Sequence, residues 1–171
     1  SSTDISAWTA GRLNKEIRLL YLGSLGQKDH LPRTALAPYD VAILKGNVRH
    51  LRPTLYDLLA YRALGYFQQD GPEQPLAENA FLMDDPAIFL PGAEFTEYGF
   101  HSADSTSNHL VALKIFQNLL RFHAPDVKPD AWIDADITRI AFANRYGVMP
   151  GKDSLYFSAL RHITDTYSSL P

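Results

Sequence analysis

Apolar residues recur every three to four positions along six stretches of the chain, and this period predicts amphipathic α-helices. The predicted helices cover residues 4–25, 38–45, 54–69, 105–123, 130–146 and 153–169. Residues at the helix ends support the assignment. Thr54 and Asp57 form a Thr-x-x-Asp capping pattern after Pro53, and Gly26 follows the first helix. The pattern therefore predicts an all-α fold.

Short connections indicate how these helices are arranged. Residues 147–151 leave room for a turn between the last two helices, so we expect an antiparallel pair in which Asp153 caps the second helix. The last three predicted helices begin about 23 to 25 residues apart. This regular spacing is typical of helical-repeat proteins, whose units bury their apolar faces against each other. We therefore expect antiparallel helical hairpins in a repeat-like stack.

One long connecting segment, residues 70–104, does not fit the helical pattern. It contains four prolines and three glycines but also several aromatic residues. A structureless loop of this length is unusual in a compact domain. We expect the segment to wrap around the helices and to be anchored by its aromatic side chains, with one short helix or strand near residues 80–83.

Composition limits the classes of function. The chain has 171 residues, 46% of them apolar, which is enough for one hydrophobic core, so we treat residues 1–171 as a single domain. The formal charge is -3 and the sequence has no basic run, so nucleic acid is not an expected partner. Cysteine is absent, which excludes disulfides and thiolate chemistry. No run of apolar residues is long enough to predict a membrane span, and the first residues do not resemble a signal peptide.

The start of the chain has a further implication. The sequence begins without methionine and runs almost directly into a predicted helix. We therefore expect a fragment of a larger protein or a mature form.

Several strings that could carry chemistry have a simpler structural explanation. Residues 147–154 hold two glycines followed by lysine, but the glycine spacing, the residue after the lysine and the preceding helix do not match a phosphate-binding loop. No two histidines have the i, i+4 spacing of a helical metal site, so we expect no metal and no cofactor. The carboxylate pairs Asp84–Asp85 and Asp134–Asp136 are expected on solvated faces.

The six histidines are expected at capping, surface or core-edge positions. His123 ends a predicted helix, where a partly charged imidazole suits the negative end of the helix dipole. His101, His109 and Asp104 could form an active site only if the fold brought them together. We therefore predict that the chain is not an enzyme.

The aromatic residues of the long segment are the candidate contact residues for a ligand or partner. They are Phe89, Phe95, Tyr98 and Phe100. Exposed rings in a loop can hold a peptide or a sugar, whereas buried rings would fix the loop to the helices. The sequence leaves both interpretations open.

The string from Arg52 to Phe67, RPTLYDLLAYRALGYF, resembles a segment in the N-terminal helical region of large bacterial alpha-2-macroglobulin-like proteins. That segment has the pattern Thr-Leu-Tyr-Asp-(Phe or Leu)-Leu-Ala-x-Arg-Ala-Leu-x-x-Phe. Members are envelope or secreted proteins thought to trap peptidases through a Cys-Gly-Glu-Gln thioester. Because this chain has no cysteine, no trap residue carries over.

The resemblance implies a non-catalytic helical scaffold that contacts other domains of its own polypeptide or a partner protein, in the periplasm, the cell envelope or the extracellular medium. Thr54, Tyr56, Asp57 and Arg62 would then be architectural. The alternative is a stand-alone helical-repeat module that binds a peptide or glycan through the aromatic segment 81–100.

Overall fold

The computed structural model describes residues 4–26, 31, 34–41, 43, 49–69, 80–104 and 106–168. Within these ranges the chain forms six α-helices, which confirms the all-α prediction. They are α1 (Ala10–Ser24), α2 (Leu55–Phe67), α3 (Gly92–Glu97), α4 (Asn108–His123), α5 (Asp130–Tyr146) and α6 (Lys152–Tyr167). Single turns of 3-10 helix lie at Ile5–Ala7, Ala37–Tyr39 and Pro86–Phe89. One isolated antiparallel bridge joins Ala35 to Thr54 in the described part.

The start of α2 follows the predicted capping pattern in full. The Thr54 hydroxyl accepts a hydrogen bond from the Asp57 backbone N–H at 3.3 Å, and the Asp57 carboxylate accepts from the Thr54 backbone N–H at 2.8 Å. Two backbone donors that a helix start leaves without partners are therefore satisfied. Ser107 caps α4 in a similar way through the backbone N–H of Leu110.

Three predicted boundaries were wrong. The first predicted helix, residues 4–25, is interrupted because Thr9 is extended and caps α1 through the Arg12 backbone N–H. The predicted helix 38–45 is only the turn Ala37–Tyr39 where it is described, and its end at 44–45 lies outside the described residues. α6 begins after Gly151 rather than after Asp153. Gly151 has φ +72°, a backbone conformation that side chains with a Cβ rarely adopt.

The centre of the fold is α4, which packs against α2, α3 and α5, while α6 packs against α5. Leu113, Phe116, Leu119 and Leu120 of α4 are completely buried. A helix covered on several sides in this way needs apolar residues over most of its circumference. α4 contacts α5, and α5 contacts α6, as successive helical hairpins require. The antiparallel directions of these helices remain a prediction.

The long segment packs along the helices through two short elements. Residues 80–83 form neither a helix nor a strand, so this prediction was wrong. The short elements of the described segment are the Pro86–Phe89 turn and α3, which come later in the chain. The Met83 side chain is buried, and the Met83 carbonyl accepts a hydrogen bond from the Val148 backbone N–H at 3.0 Å. The Pro86–Phe89 turn contacts α5 and α6, and α3 contacts α4. Residues 70–79 of the predicted segment lie outside the described part.

No helix in the described ranges is both long enough and apolar enough to cross a membrane.

Candidate ligand groove

Three of the four aromatic residues singled out in the sequence are buried. Phe95 is fully buried, Phe89 and Phe100 are nearly so, and Tyr98 is 38% exposed. The ring centroids of Phe95 and Phe100 are 5.4 Å apart, and those of Tyr98 and Phe100 are 4.8 Å apart. These ring contacts lie within the segment, and Phe89, Phe95 and Phe100 anchor it because they belong to the hydrophobic core. Phe89 and Tyr98 also line an open groove.

This groove runs between the segment 85–98 and the adjacent face of α6, and its volume is about 590 Å³. The first wall consists of Asp85, Pro86, Ala87, Phe89, Leu90, Pro91 and Tyr98; the second consists of Leu155, Ser158, Ala159 and His162. Most of these side chains are apolar, and the polar ones are few. The volume of the groove and its mostly apolar lining lie within the range of sites that bind small ligands or peptide side chains.

Asp85 holds the first wall in place. One of its carboxylate oxygens accepts a hydrogen bond from the Ala87 backbone N–H at 2.9 Å and so caps the Pro86–Phe89 turn. The other oxygen accepts from the Tyr98 hydroxyl at 2.6 Å. This hydrogen bond raises the pKa of Tyr98, because losing the proton would break it beside a carboxylate. The two ends of the wall are therefore joined through one side chain.

A buried ion pair on α5 fixes the same wall from behind. The Arg139 Nε atom donates to Asp136 at 2.8 Å, and the guanidinium also donates to the carbonyls of Ile88 at 2.6 Å and Leu90 at 2.9 Å. Arg139 additionally lies over the Phe95 ring, 4.3 Å from its centroid. Burial raises the pKa of Asp136, although the charge of Arg139 opposes this shift. A single arginine thus satisfies two carbonyls that a loop would otherwise bury without donors.

The structure corrects the expectation that Asp134 and Asp136 lie on solvated faces. Asp136 is 1% exposed. Asp134 is half-buried and accepts hydrogen bonds from Arg52 Nε at 2.9 Å and from the Tyr61 hydroxyl at 2.7 Å. Burial and this hydrogen bond raise the pKa of Tyr61. Asp134 therefore holds Arg52 and Tyr61 against α5, whereas Asp136 pairs with Arg139 on its own helix.

A second buried network joins α2 to α4. His123 Nε2 lies 2.7 Å from Asp57, and His123 Nδ1 lies 2.7 Å from Asp126. Burial alone would lower the pKa of His123, but its hydrogen bonds and charge interactions with Asp57 and Asp126 outweigh burial and raise it. The sequence places His123 at a helix end and Asp57 in a cap, but it contains no signal that they meet.

This histidine is not arranged for catalysis. The side chains of His123 and Asp57 are 2% and 0% exposed, and a carboxylate occupies each ring nitrogen. A general base must reach the proton that it removes from a substrate. The network therefore fits a structural role, in which the C-terminal end of α4 is held at the N-terminal end of α2.

The residues considered for an active site occupy different environments. His101 is exposed, whereas the His109 ring packs against Phe142 and Tyr146, with centroids 5.5 and 4.4 Å away. Asp104 accepts hydrogen bonds from the backbone and hydroxyl of Thr106. Within the described ranges no group of three or more His, Asp and Glu side chains is placed to hold a metal ion.

Comparisons with protein-family models, with curated proteins and with solved structures found no match to this chain. The resemblance to alpha-2-macroglobulin-like proteins therefore stays an expectation from the sequence.

Proposed function

We propose that this chain is a non-catalytic helical interaction domain and that it binds a short peptide segment in the groove beside α6. The observation that carries the proposal is the groove itself: an apolar cleft of about 590 Å³ with a small number of polar groups at its edges. Sites that hold small ligands or peptide side chains commonly have these properties.

The wall of the groove is held before any ligand arrives. Asp85 joins Ala87 to Tyr98, and Arg139 binds the carbonyls of Ile88 and Leu90. A preorganised wall lowers the entropy lost on binding, because few side chains must be ordered. Since most of the lining is aliphatic or proline, the groove suits a peptide side chain better than a glycan, which needs many polar partners.

The test uses peptides selected from a random library for binding to the wild-type protein. Ser158 is exposed at the groove, so Ser158→Trp would fill the groove without disturbing the core. Thr164→Trp is the matched control because Thr164 lines a different cleft of α6 with Phe157 and Arg161. We expect Ser158→Trp to abolish peptide binding and Thr164→Trp to leave it unchanged. If Ser158→Trp and Thr164→Trp bind the selected peptides equally well, the groove is not the binding site.

A second candidate function is the scaffold role that the resemblance implies. α1 exposes several large apolar side chains, with Leu20 73% and Leu19 53% exposed. A cleft of about 400 Å³ lies between α1 and α2, where Leu20 faces Leu59 and Arg62. Exposed apolar side chains on a helix can mark a surface that another protein covers. In a larger polypeptide, neighbouring domains would pack against the exposed leucines of α1.

The complete gene sequence tests the scaffold role, because an alpha-2-macroglobulin-like protein continues into macroglobulin domains after its helical region. The absence of cysteine from the chain allows a second measurement. A Leu20→Cys variant should react quickly with a maleimide in the chain alone and slowly in the full-length protein. Equal rates in both would exclude coverage of α1 by other domains.

A further inference from the structure

The chain segment that forms the first wall of the groove contains acidic residues but no lysine or arginine. From residue 63 to residue 113 the sequence contains no lysine or arginine. The described residues of this stretch, 63–69, 80–104 and 106–113, contain five acidic residues: Asp84, Asp85, Glu94, Glu97 and Asp104. The first wall of the groove therefore belongs to a segment with negative charges and no strongly basic side chain.

Two of these five carboxylates have basic neighbours from other elements. Glu97 lies 3.7 Å from Arg121, and the charge of Arg18 contributes to lowering the pKa of Asp104, behind the hydrogen bonds from Thr106. Asp84, Asp85 and Glu94 have no ion-pair partner among the described residues. Asp85 lines the groove directly, and Asp84 and Glu94 are exposed near it in the sequence.

The opposite wall has a different character. Its lining residues on α6 are Leu155, Ser158, Ala159 and His162, and none of them is a carboxylate. Asp165, one turn further along α6, lines the separate cleft that includes Phe157, Arg161 and Thr164. The carboxylate that lines the apolar groove is therefore Asp85 on the first wall, and the titratable base that lines it is His162.

A second depression adjoins the groove at Asp85. Its volume is about 300 Å³, and its polar lining includes Asp84, Asp85, His101 and Ser102. Because Asp85 lines both cavities, a ligand can place an apolar group in the first and a polar group in the second. The two cavities thus differ in chemistry but share one carboxylate.

We propose that the groove takes a basic peptide, with an apolar side chain between the Pro86–Phe89 turn and α6 and a neighbouring lysine or arginine side chain beside Asp84 and Asp85. This inference rests on the proposed peptide-binding function and names its ligand class. Charge complementarity selects the ligand, since an acidic peptide would meet like charges at Asp84 and Asp85 beside the first wall. The apolar groove supplies contact area and the carboxylates supply orientation and selectivity.

The first experiment compares three fluorescent peptides with the same apolar residues, in which the flanking positions are all lysine, all glutamine or all glutamate. Fluorescence anisotropy measures their affinities for the wild-type protein. We expect the lysine peptide to bind at least about tenfold more tightly than the glutamate peptide at low ionic strength. This preference should nearly disappear near 1 M salt, where the Debye length is about 3 Å.

The second experiment removes two exposed carboxylates of the segment that forms the first wall, Asp84 in the adjoining depression and Glu94 on α3. Asp84→Asn with Glu94→Gln should weaken binding of the lysine peptide by up to about tenfold, the range expected for two exposed charge pairs. The double variant Asp153→Asn with Glu16→Gln makes the same change in net charge away from the groove. It should leave the affinity within about twofold, because distant exposed charges are screened.

The outcomes separate this inference from the proposed function. If the peptides bind, Ser158→Trp blocks them and lysine is not preferred, the groove is a peptide site and the basic ligand is wrong. If the two double variants weaken binding equally, the net charge of the protein determines affinity rather than Asp84 and Glu94, and the inference fails. If none of the three peptides binds, both the peptide-binding function and the basic ligand are overturned.

Discussion

Replacing Arg139 by methionine is the sharpest test of how the fold supports the groove. The side chain is completely buried and donates to Asp136 and to the carbonyls of Ile88 and Leu90. Methionine keeps much of the volume but none of the donors. The substitution therefore leaves a buried carboxylate without its partner and two loop carbonyls without hydrogen bonds.

The expected loss follows from these contacts. Breaking a buried ion pair by removing one partner costs about 3–5 kcal/mol. Each buried carbonyl left without a donor adds about 1–3 kcal/mol before the loop relaxes. Because the losses are not additive and Asp136 can take up a proton, we expect Arg139→Met to lower the free energy of unfolding by about 4–6 kcal/mol. That is a large part of the about 5–15 kcal/mol typical of a domain.

Urea unfolding followed by far-UV circular dichroism measures this loss. Arg145→Met is the matched control, because Arg145 is exposed on the same helix and its ring contact is with Tyr146, 5.2 Å from the centroid. The control should change stability by less than about 1 kcal/mol. The double variant Arg139→Met with Asp136→Leu should be more stable than Arg139→Met alone, because no unpaired charge remains buried. An Arg139→Met protein within about 1 kcal/mol of wild type would refute the reasoning.

Three further predictions concern single positions. Gly92→Ala should destabilise the protein by about 2–3 kcal/mol in the same urea assay, because a Cβ at Gly92 would overlap the Trp132 ring. Gly65→Ala should stabilise it by about 0.5–1 kcal/mol, since Gly65 lies inside α2 with open space around its Cα; a loss of stability would contradict that geometry. The raised pKa of His123 means that its contribution to stability is complete below its ordinary value of 6.5 and is lost as the pH rises through the folded-state pKa. His123→Asn should flatten this part of the stability–pH profile, whereas the exposed His162→Asn variant should retain it.

The helices were predictable because their signals are local. The apolar period and the caps of α2 and α4 involve residues within a few positions of each other, and propensity and capping act over that distance. The Thr54–Asp57 capping box is the clearest example. Predictions were wrong where the local signal was ambiguous: Asp153 is a good capping residue, but the turn before α6 requires the positive φ of Gly151.

The candidate site was only partly predictable. The sequence identified the aromatic segment and left open whether its rings bind a ligand or fill the core. Burial of Phe95 and exposure of Tyr98 follow from which helix face each ring meets, and no local pattern contains that information. His162 and Ser158 became part of the groove only because α6 packs against the Pro86–Phe89 turn.

The sequence by itself determined the fold class, the positions of most helices and the Thr54–Asp57 cap of α2, because those properties depend on interactions within one or two helical turns. The tertiary structure decided the partners of the buried charges. His123 meets Asp57 across 66 positions of sequence, and Arg139 meets the carbonyl of Ile88 across 51. A charge in the core needs a partner, but the identity of that partner depends on how the helices pack.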